Sequence, residues 1–136
     1  MNLSTKGRYG LRALCELAMH SNDKPVSLTR IAELQDLSLK YLEQIFHLLK
    51  KAGYIKSVRG VNGGYLMNKP PSEITVGEIL RLLEGDVAPI HCVSDECVEE
   101  CKHGEECITK PFWEELSQTV YKVMDDKTIQ DLIERN

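Results

Sequence analysis

The sequence predicts a mainly α-helical protein with one short β-hairpin and a long C-terminal helix, and two observations carry that expectation. Apolar residues recur at three- and four-residue spacing over most of the 136 residues, as helices with one buried face require. Between residues 54 and 67 that period gives way to two short strand-like runs, Tyr54 to Val58 and Tyr65 to Met67, joined by Arg59-Gly60-Val61-Asn62-Gly63-Gly64. With 42% hydrophobic content the chain can bury one modest core, so a single domain plus an appendage is expected.

Leu11, Leu14, Cys15 and Ala18 place a first amphipathic helix over residues 5–22. Cys15 lies on its apolar face and reads as a small buried hydrophobe rather than a ligand. Asn22-Asp23-Lys24-Pro25 breaks this helix, and Ser27 caps a short second one carrying Leu28, Ile31, Ala32 and Leu34. Asp36-Leu37-Ser38 makes a tight turn. Ser38 then caps a third helix whose buried stripe is Leu39, Leu42, Ile45, Phe46 and Leu49, closed by Gly53. A short helix, a turn and a longer helix with a polar outer face form a helix-turn-helix, and the hairpin after it supplies a wing with a cation, Arg59, at its root. The winged unit spans residues 1–70.

Asn68 to Ser72 reads as a linker, followed by a connecting helix within 71–90, where Thr75 and Glu78 have capping-box spacing ahead of Ile79, Leu80, Leu82 and Leu83. Residues 91–110 form a cysteine-rich loop without apolar period. Pro111 opens the last long helix, in which Phe112, Trp113, Leu116, Val120, Val123 and Met124 make a broad apolar face. A chain of this size has little else to cover that face, so a homodimer through residues 111–124 is expected. A short terminal helix with Ile129, Leu132 and Ile133 completes residues 111–136.

The net charge of −4 conceals a division. Residues 1–70 hold 11 Lys/Arg against 5 acids, and the remainder holds 6 against 16. The first half therefore suits a polyanion and the second repels one. On the third helix Ser38, Lys40, Tyr41, Glu43 and Gln44 would face the major groove of double-stranded DNA, with Gln44 suited to adenine and Lys40 and Tyr41 to phosphate or guanine. A carboxylate facing DNA is repelled by phosphate and is useful mainly for accepting from a cytosine amino group, so Glu43 should restrict sequence choice; an ordinary solvated charge or an i,i+4 partner is the alternative. Arg59 and Asn62 mark the wing, while Lys6, Arg8, Lys50, Lys51 and Lys56 are candidate phosphate contacts. Two identical units would read a near-palindromic operator.

Cys92, Cys97, Cys101 and Cys107 fall within sixteen residues with gaps of four, three and five. Disulfide, zinc and iron-sulfur all suit such a cluster. The start, Met1-Asn2-Leu3-Ser4-Thr5-Lys6, lacks the apolar core of a signal peptide and no membrane span follows, so a cytoplasmic location is expected, where metal is favoured over disulfide. The acids Asp95, Glu96, Glu99, Glu100, Glu105 and Glu106 should raise the thiol pKa values and make a bound cluster labile. No nucleophile elbow, phosphate loop or His/Asp pairing is visible, which argues against an enzyme.

Three segments carry a family resemblance: Met1 to Gly10 (MNLSTKGRYG), Leu39-Lys40-Tyr41-Leu42-Glu43-Gln44, and Val58-Arg59-Gly60-Val61-Asn62-Gly63-Gly64-Tyr65. Together they resemble the Rrf-two family of winged-helix regulators, and with the cysteine loop the chain is similar to its cluster-sensing branch. The resemblance implies a homodimeric repressor or activator that binds a 2Fe-2S cluster and controls cluster-assembly genes, with cluster state selecting the DNA sequence. It also implies that Glu43 is the sequence-discriminating acid and Arg59 a minor-groove arginine. That branch uses three cysteines and a histidine three residues after the last. Here Cys92, Cys101 and Cys107 match the cysteines, but Lys110 stands at the histidine position, and an ammonium cannot ligate. Cys97 is the expected fourth ligand, with His103 or a carboxylate as runners-up. Alternatives are a zinc or thiol-sensing loop, a regulator of cysteine metabolism needing no cluster, and a small electron carrier, which would leave the wing unexplained.

Overall fold

The computed structural model describes residues 3–94 and 106–135. Six helices and one hairpin follow in order: α1 Thr5–His20, α2 Leu28–Gln35, α3 Leu39–Lys51, β1 Ile55–Val58, β2 Gly64–Met67, α4 Val76–Glu84, α5 Lys110–Asp126 and α6 Ile129–Ile133, with single 3-10 turns at Pro71–Glu73 and His91–Val93. Three expected caps form. Ser27 Oγ accepts from Arg30 N–H at 3.2 Å, Ser38 Oγ accepts from Tyr41 N–H at 3.3 Å, and Thr75 and Glu78 cap each other at 3.1 and 2.7 Å. Between α2 and α3, Asp36 takes the left-handed conformation at φ +52° and turns the chain.

β1 and β2 pair antiparallel from Ile55 opposite Met67 to Val58 opposite Gly64. Val26, just before α2, adds a third rung by exchanging backbone hydrogen bonds of 2.9 and 2.8 Å with Tyr65. The wing is thereby fastened to the helix-turn-helix across some forty residues of sequence.

Leu14, Ile31, Leu42, Ile45, Phe46 and Leu49 are sealed from solvent, as their spacing predicts, and so is Leu17, which is not among the expected stripe. Leu34 and Leu39, expected on the same stripes, are instead 45% and 41% exposed. Both flank the turn, at helix ends where the core no longer reaches, and Leu37 between them packs inward. The core does not stop at residue 70: Ile74, Ile79, Leu83 and Ile129 belong to it too. Within residues 71–90, Ile74 and α4 are thus packed against the winged unit. The C-terminal α6 returns to the first domain through Val76 N–H to Lys127 O at 2.8 Å and Ile129 N–H to Ile74 O at 2.9 Å. Burying Ile129 fully is worth about 1.5–3 kcal/mol, enough to hold so short a helix in place.

A second, smaller core joins Val76, Leu80, Val87 and Met124. Met124, expected on a face offered to another chain, is therefore spent within its own. The cause is the close approach of α5 to α4. Arg81 grips Asp125 with two hydrogen bonds of 2.6 and 3.1 Å, and Gly77 leaves room where a Cβ would overlap Asp125 Oδ1. Among the described residues, no helix is long and apolar enough to cross a membrane.

Candidate nucleic-acid interface and cysteine segment

α3 buries one stripe and leaves Lys40, Glu43, Gln44 and His47 exposed on the other. Lys40, Glu43, Gln44, His47 and Leu48 line one shallow hollow. His47 escaped the sequence reading, although it lies four residues after Glu43 and three after Gln44, which is sufficient to place it on their face. Among the described residues, Glu43 has neither a hydrogen bond nor an ion pair, so its carboxylate is not held by an i,i+4 partner. Its full acceptor capacity is available to a base edge.

Two other members of the expected set are engaged inside the protein. Ser38 is exposed, but its hydroxyl is the cap of α3. Tyr41 is half-buried. Its hydroxyl lies 3.2 Å from Thr5 Oγ1, and its ring meets Tyr9 edge-on at 6.3 Å, so it braces α3 against the first turns of α1. Arg8 and Arg12 stack over the same Tyr9 at 5.8 and 5.6 Å, and Arg12 is further tied to Gln35 at 2.8 Å. Arg8 remains exposed and Lys6 half-exposed.

Arg59 is exposed directly after β1. The turn beyond it closes by Gly63 N–H to Gly60 O at 3.0 Å, with Gly60 at φ +113°, and it presents Val61 entirely to solvent. A Cβ on Gly63 would overlap Val58 O, so the tip cannot carry a larger residue there. Asn62 and Gly63 face His20, Lys24, Ser27 and Arg30 across an open crevice of about 730 Å³. Lys24 and Arg30 thus join the wing as a basic border that sequence spacing does not reveal, because only the Val26–Tyr65 bridge brings residue 24 beside residue 62.

Among the cysteines, Cys15 is half-buried, and burial, with Glu16 beside it, pushes its thiol up to about 11. It is an inert packing residue at neutral pH. Cys92 is exposed in the turn His91–Val93, and Cys107 is half-buried three residues before α5; neither forms a disulfide. Cys107 Sγ lies 3.3 Å from Thr109 Oγ1. The Thr109 hydroxyl, the backbone N–H groups of Thr109 and Lys110, and the Lys110 ammonium together outweigh desolvation and hold its thiol below the ordinary value. At Cys107 the direction is thus downward, while all but Glu106 of the acids expected to raise the thiol pKa values lie outside the described residues. Lys110 cannot ligate, but its charge favours the thiolate that ligates. Cys97, Cys101, His103 and five of the six acids lie outside the described residues. Among the described residues, no three His, Cys, Asp or Glu side chains stand close enough to hold a metal ion.

The stem of the cysteine segment is anchored. Asp86 accepts from Ala88 N–H at 2.9 Å through one oxygen and from the Ser94 hydroxyl through the other, and Ser94 is buried. At the far side, Thr109 Oγ1 accepts from Trp113 Nε1 at 3.2 Å, and Trp113 packs edge-on against Phe112 at 4.8 Å. On α5 and just before it, Ile108 is 94% exposed, Phe112 56% and Val123 59%. Trp113, Leu116 and Val120 are half-buried. The outward stripe is accordingly narrower than the six residues expected, with Met124 absent from it.

The Rrf2 family model, described as an iron-dependent transcriptional regulator, matches residues 3–135. IscR from Yersinia enterocolitica, an HTH-type transcriptional regulator, is 39% identical over 133 residues, covering 98% of this chain and 79% of that protein. The protein named rrf2 from Nitratidesulfovibrio vulgaris is 39% identical over 98% of this chain and 87% of its own. Two solved structures superpose over nearly the full length: CymR, titled the global cysteine regulator of B. subtilis, with TM-score 0.86, 38% identity and coverage of 100% and 98%, and T. potens IscR with TM-score 0.79, 39% identity and coverage of 99% and 88%. These relatives are regulators and not enzymes, and the chain belongs to the Rrf2 family of winged-helix transcriptional regulators.

Proposed function

We propose that this regulator acts as a homodimer on a near-palindromic DNA operator and reports iron-sulfur status through a 2Fe-2S cluster held by Cys92, Cys97, Cys101 and Cys107. One observation carries the reading: a member of an iron-dependent family concentrates four cysteines in residues 92–107, and the one nearest α5, Cys107, has its thiolate favoured by Thr109 and Lys110. Four sulfur donors fit an iron-sulfur centre. When bound, the cluster supplies a redox-sensitive, labile charge at the foot of α5. The chain's own residues do the rest: Lys110 offsets the negative charge of the sulfurs, Thr109 orients Cys107, and Asp86 and Ser94 fix the segment beside Cys92.

An all-cysteine site has no protonatable imidazole, so retention of the cluster should vary little between pH 6 and 8. On the DNA side, Glu43 and Gln44 read bases and Lys40 a base or phosphate in the major groove, Arg59 and Asn62 address the minor groove, and Lys6, Arg8, Lys24 and Arg30 border the backbone. The likeness to the cysteine regulator CymR supports a second reading, in which the same winged helix controls cysteine metabolism without a cluster.

The two readings part on one preparation. Protein purified without oxygen should show the visible and paramagnetic resonance spectra of a 2Fe-2S centre and an iron assay near two per chain; colourless protein free of iron would favour the second reading. Cys97→Ala should abolish or shorten the life of the cluster, and an unchanged spectrum and lifetime would remove Cys97 from the ligand set.

A further inference from the structure

Three donors converge on one carboxylate oxygen at the end of α4. Glu84 Oε1 accepts from Ser4 N–H at 3.1 Å, from the Ser4 hydroxyl at 2.5 Å and from Gly7 N–H at 2.6 Å, across 77 to 80 residues of sequence. A helix start needs acceptors for its free N–H groups, but α1 already has one of its own, since Ser4 Oγ accepts from Lys6 N–H at 3.2 Å. The carboxylate therefore adds to the cap a fixed bearing of α1 on α4. Gly7 is required for it, because a Cβ there would stand 2.6 Å from Glu84 Oε1.

The same turns of α1 make the contact with α3. Thr5 Oγ1 lies 3.2 Å from the Tyr41 hydroxyl, and Tyr9 meets the Tyr41 ring edge-on. Tyr41 is flanked on α3 by Lys40 and, two and three residues on, by Glu43 and Gln44. In the other direction Glu84 is followed by Gly85 at φ +78°, then by Asp86, which holds the buried Ser94 hydroxyl two residues beyond Cys92. A continuous set of named contacts thus joins the stem of the cysteine segment to the residues that face DNA.

We propose that Glu84 is a positioning residue that transmits the state of the cysteine segment to the recognition helix, joined through Asp86 and Ser94 to that segment and through Ser4, Gly7 and the Thr5–Tyr41 contact to α3. The proposal rests on the cluster-sensing reading above. What it adds is the path and the prediction that the path can be cut without touching either a thiol or a DNA contact.

The test uses full-length protein, prepared with cluster and iron-free, and a duplex selected by the wild-type protein from a random-sequence library. The quantity read is the ratio of the two dissociation constants, alongside the melting temperature of each form. Thr5→Val removes one hydroxyl and leaves α4 untouched; Glu84→Gln keeps the shape and removes the charge. In the wild type the ratio should differ from one by about fivefold or more. In both variants it should fall toward one while cluster content is retained. A variant that binds DNA more weakly in both states with the wild-type ratio intact would make Glu84 a static support and overturn the proposal. A cluster-loaded wild type whose ratio is one would instead overturn the sensing reading, and the relay with it. Should Glu84→Gln fail to fold, Thr5→Val decides alone.

Discussion

Glu43 and Glu84 show how differently one residue type is used in one chain. Glu43 is solvent-exposed on α3 and, among the described residues, without a partner; on the proposed DNA-reading face a carboxylate would weaken phosphate binding and discriminate among bases. Glu43→Ala should broaden the set of sequences recovered from a random duplex library while leaving affinity for non-specific DNA equal or higher; an unchanged sequence preference would relegate Glu43 to an ordinary surface charge. For Glu84, desolvation alone would raise the pKa, but the hydrogen bonds from Ser4 and Gly7 and the charge of Lys6 outweigh it and leave it lowered. A carboxyl whose folded-state pKa lies below the unfolded one stabilises fully above the unfolded value and loses that contribution as pH falls through the folded value. The melting-temperature advantage of wild type over Glu84→Gln should therefore be present at pH 6 and shrink as the pH drops below about 4. A constant difference across that range would contradict the assignment.

At the scale of elements, glycines set how closely helices approach. Gly10 on α1 sits where a Cβ would overlap Leu83 Cδ1 of α4 and stand 3.2 Å from Ile45 Cγ2 of α3, so the three helices meet over one missing side chain. Gly10→Ala should cost about 1–3 kcal/mol despite alanine's better helix propensity, read as a lower melting temperature. The helices, their caps and the hairpin were legible in the sequence because each is specified locally: Ser27, Ser38 and the Thr75–Glu78 pair act within three residues of themselves. What was not legible is which face meets which. The period of α5 marked Met124 as apolar but could not say that Val76, Leu80 and Val87 would cover it. Likewise Glu84 on Ser4, and Lys24 beside Asn62, arise only when distant segments pack. The residues of α3 expected to face DNA follow from the same local rule as its caps, and that rule does not reveal that Tyr41 also braces α1.

Over the whole molecule, the charge division of the sequence is not a division of the fold. Residues from both the basic and the acidic half share one core, in which Leu14 and Phe46 pack in the same cluster as Ile79 and Ile129. Ile129→Ala should accordingly destabilise the entire chain by about 2–5 kcal/mol in a single cooperative transition, measured by circular dichroism on heating. A separate early transition confined to the C-terminus would show α6 to be an accessory. The return of α6 also has a consequence for how the protein is made. Its contacts with the first core close only after residues 127–129 exist, so during synthesis from the amino end the winged unit waits, unfinished, for that distant segment to leave the ribosome. A product that stops before Ile129 would then lack part of its core and stay open to proteolysis, rather than persist as a folded amino-terminal fragment.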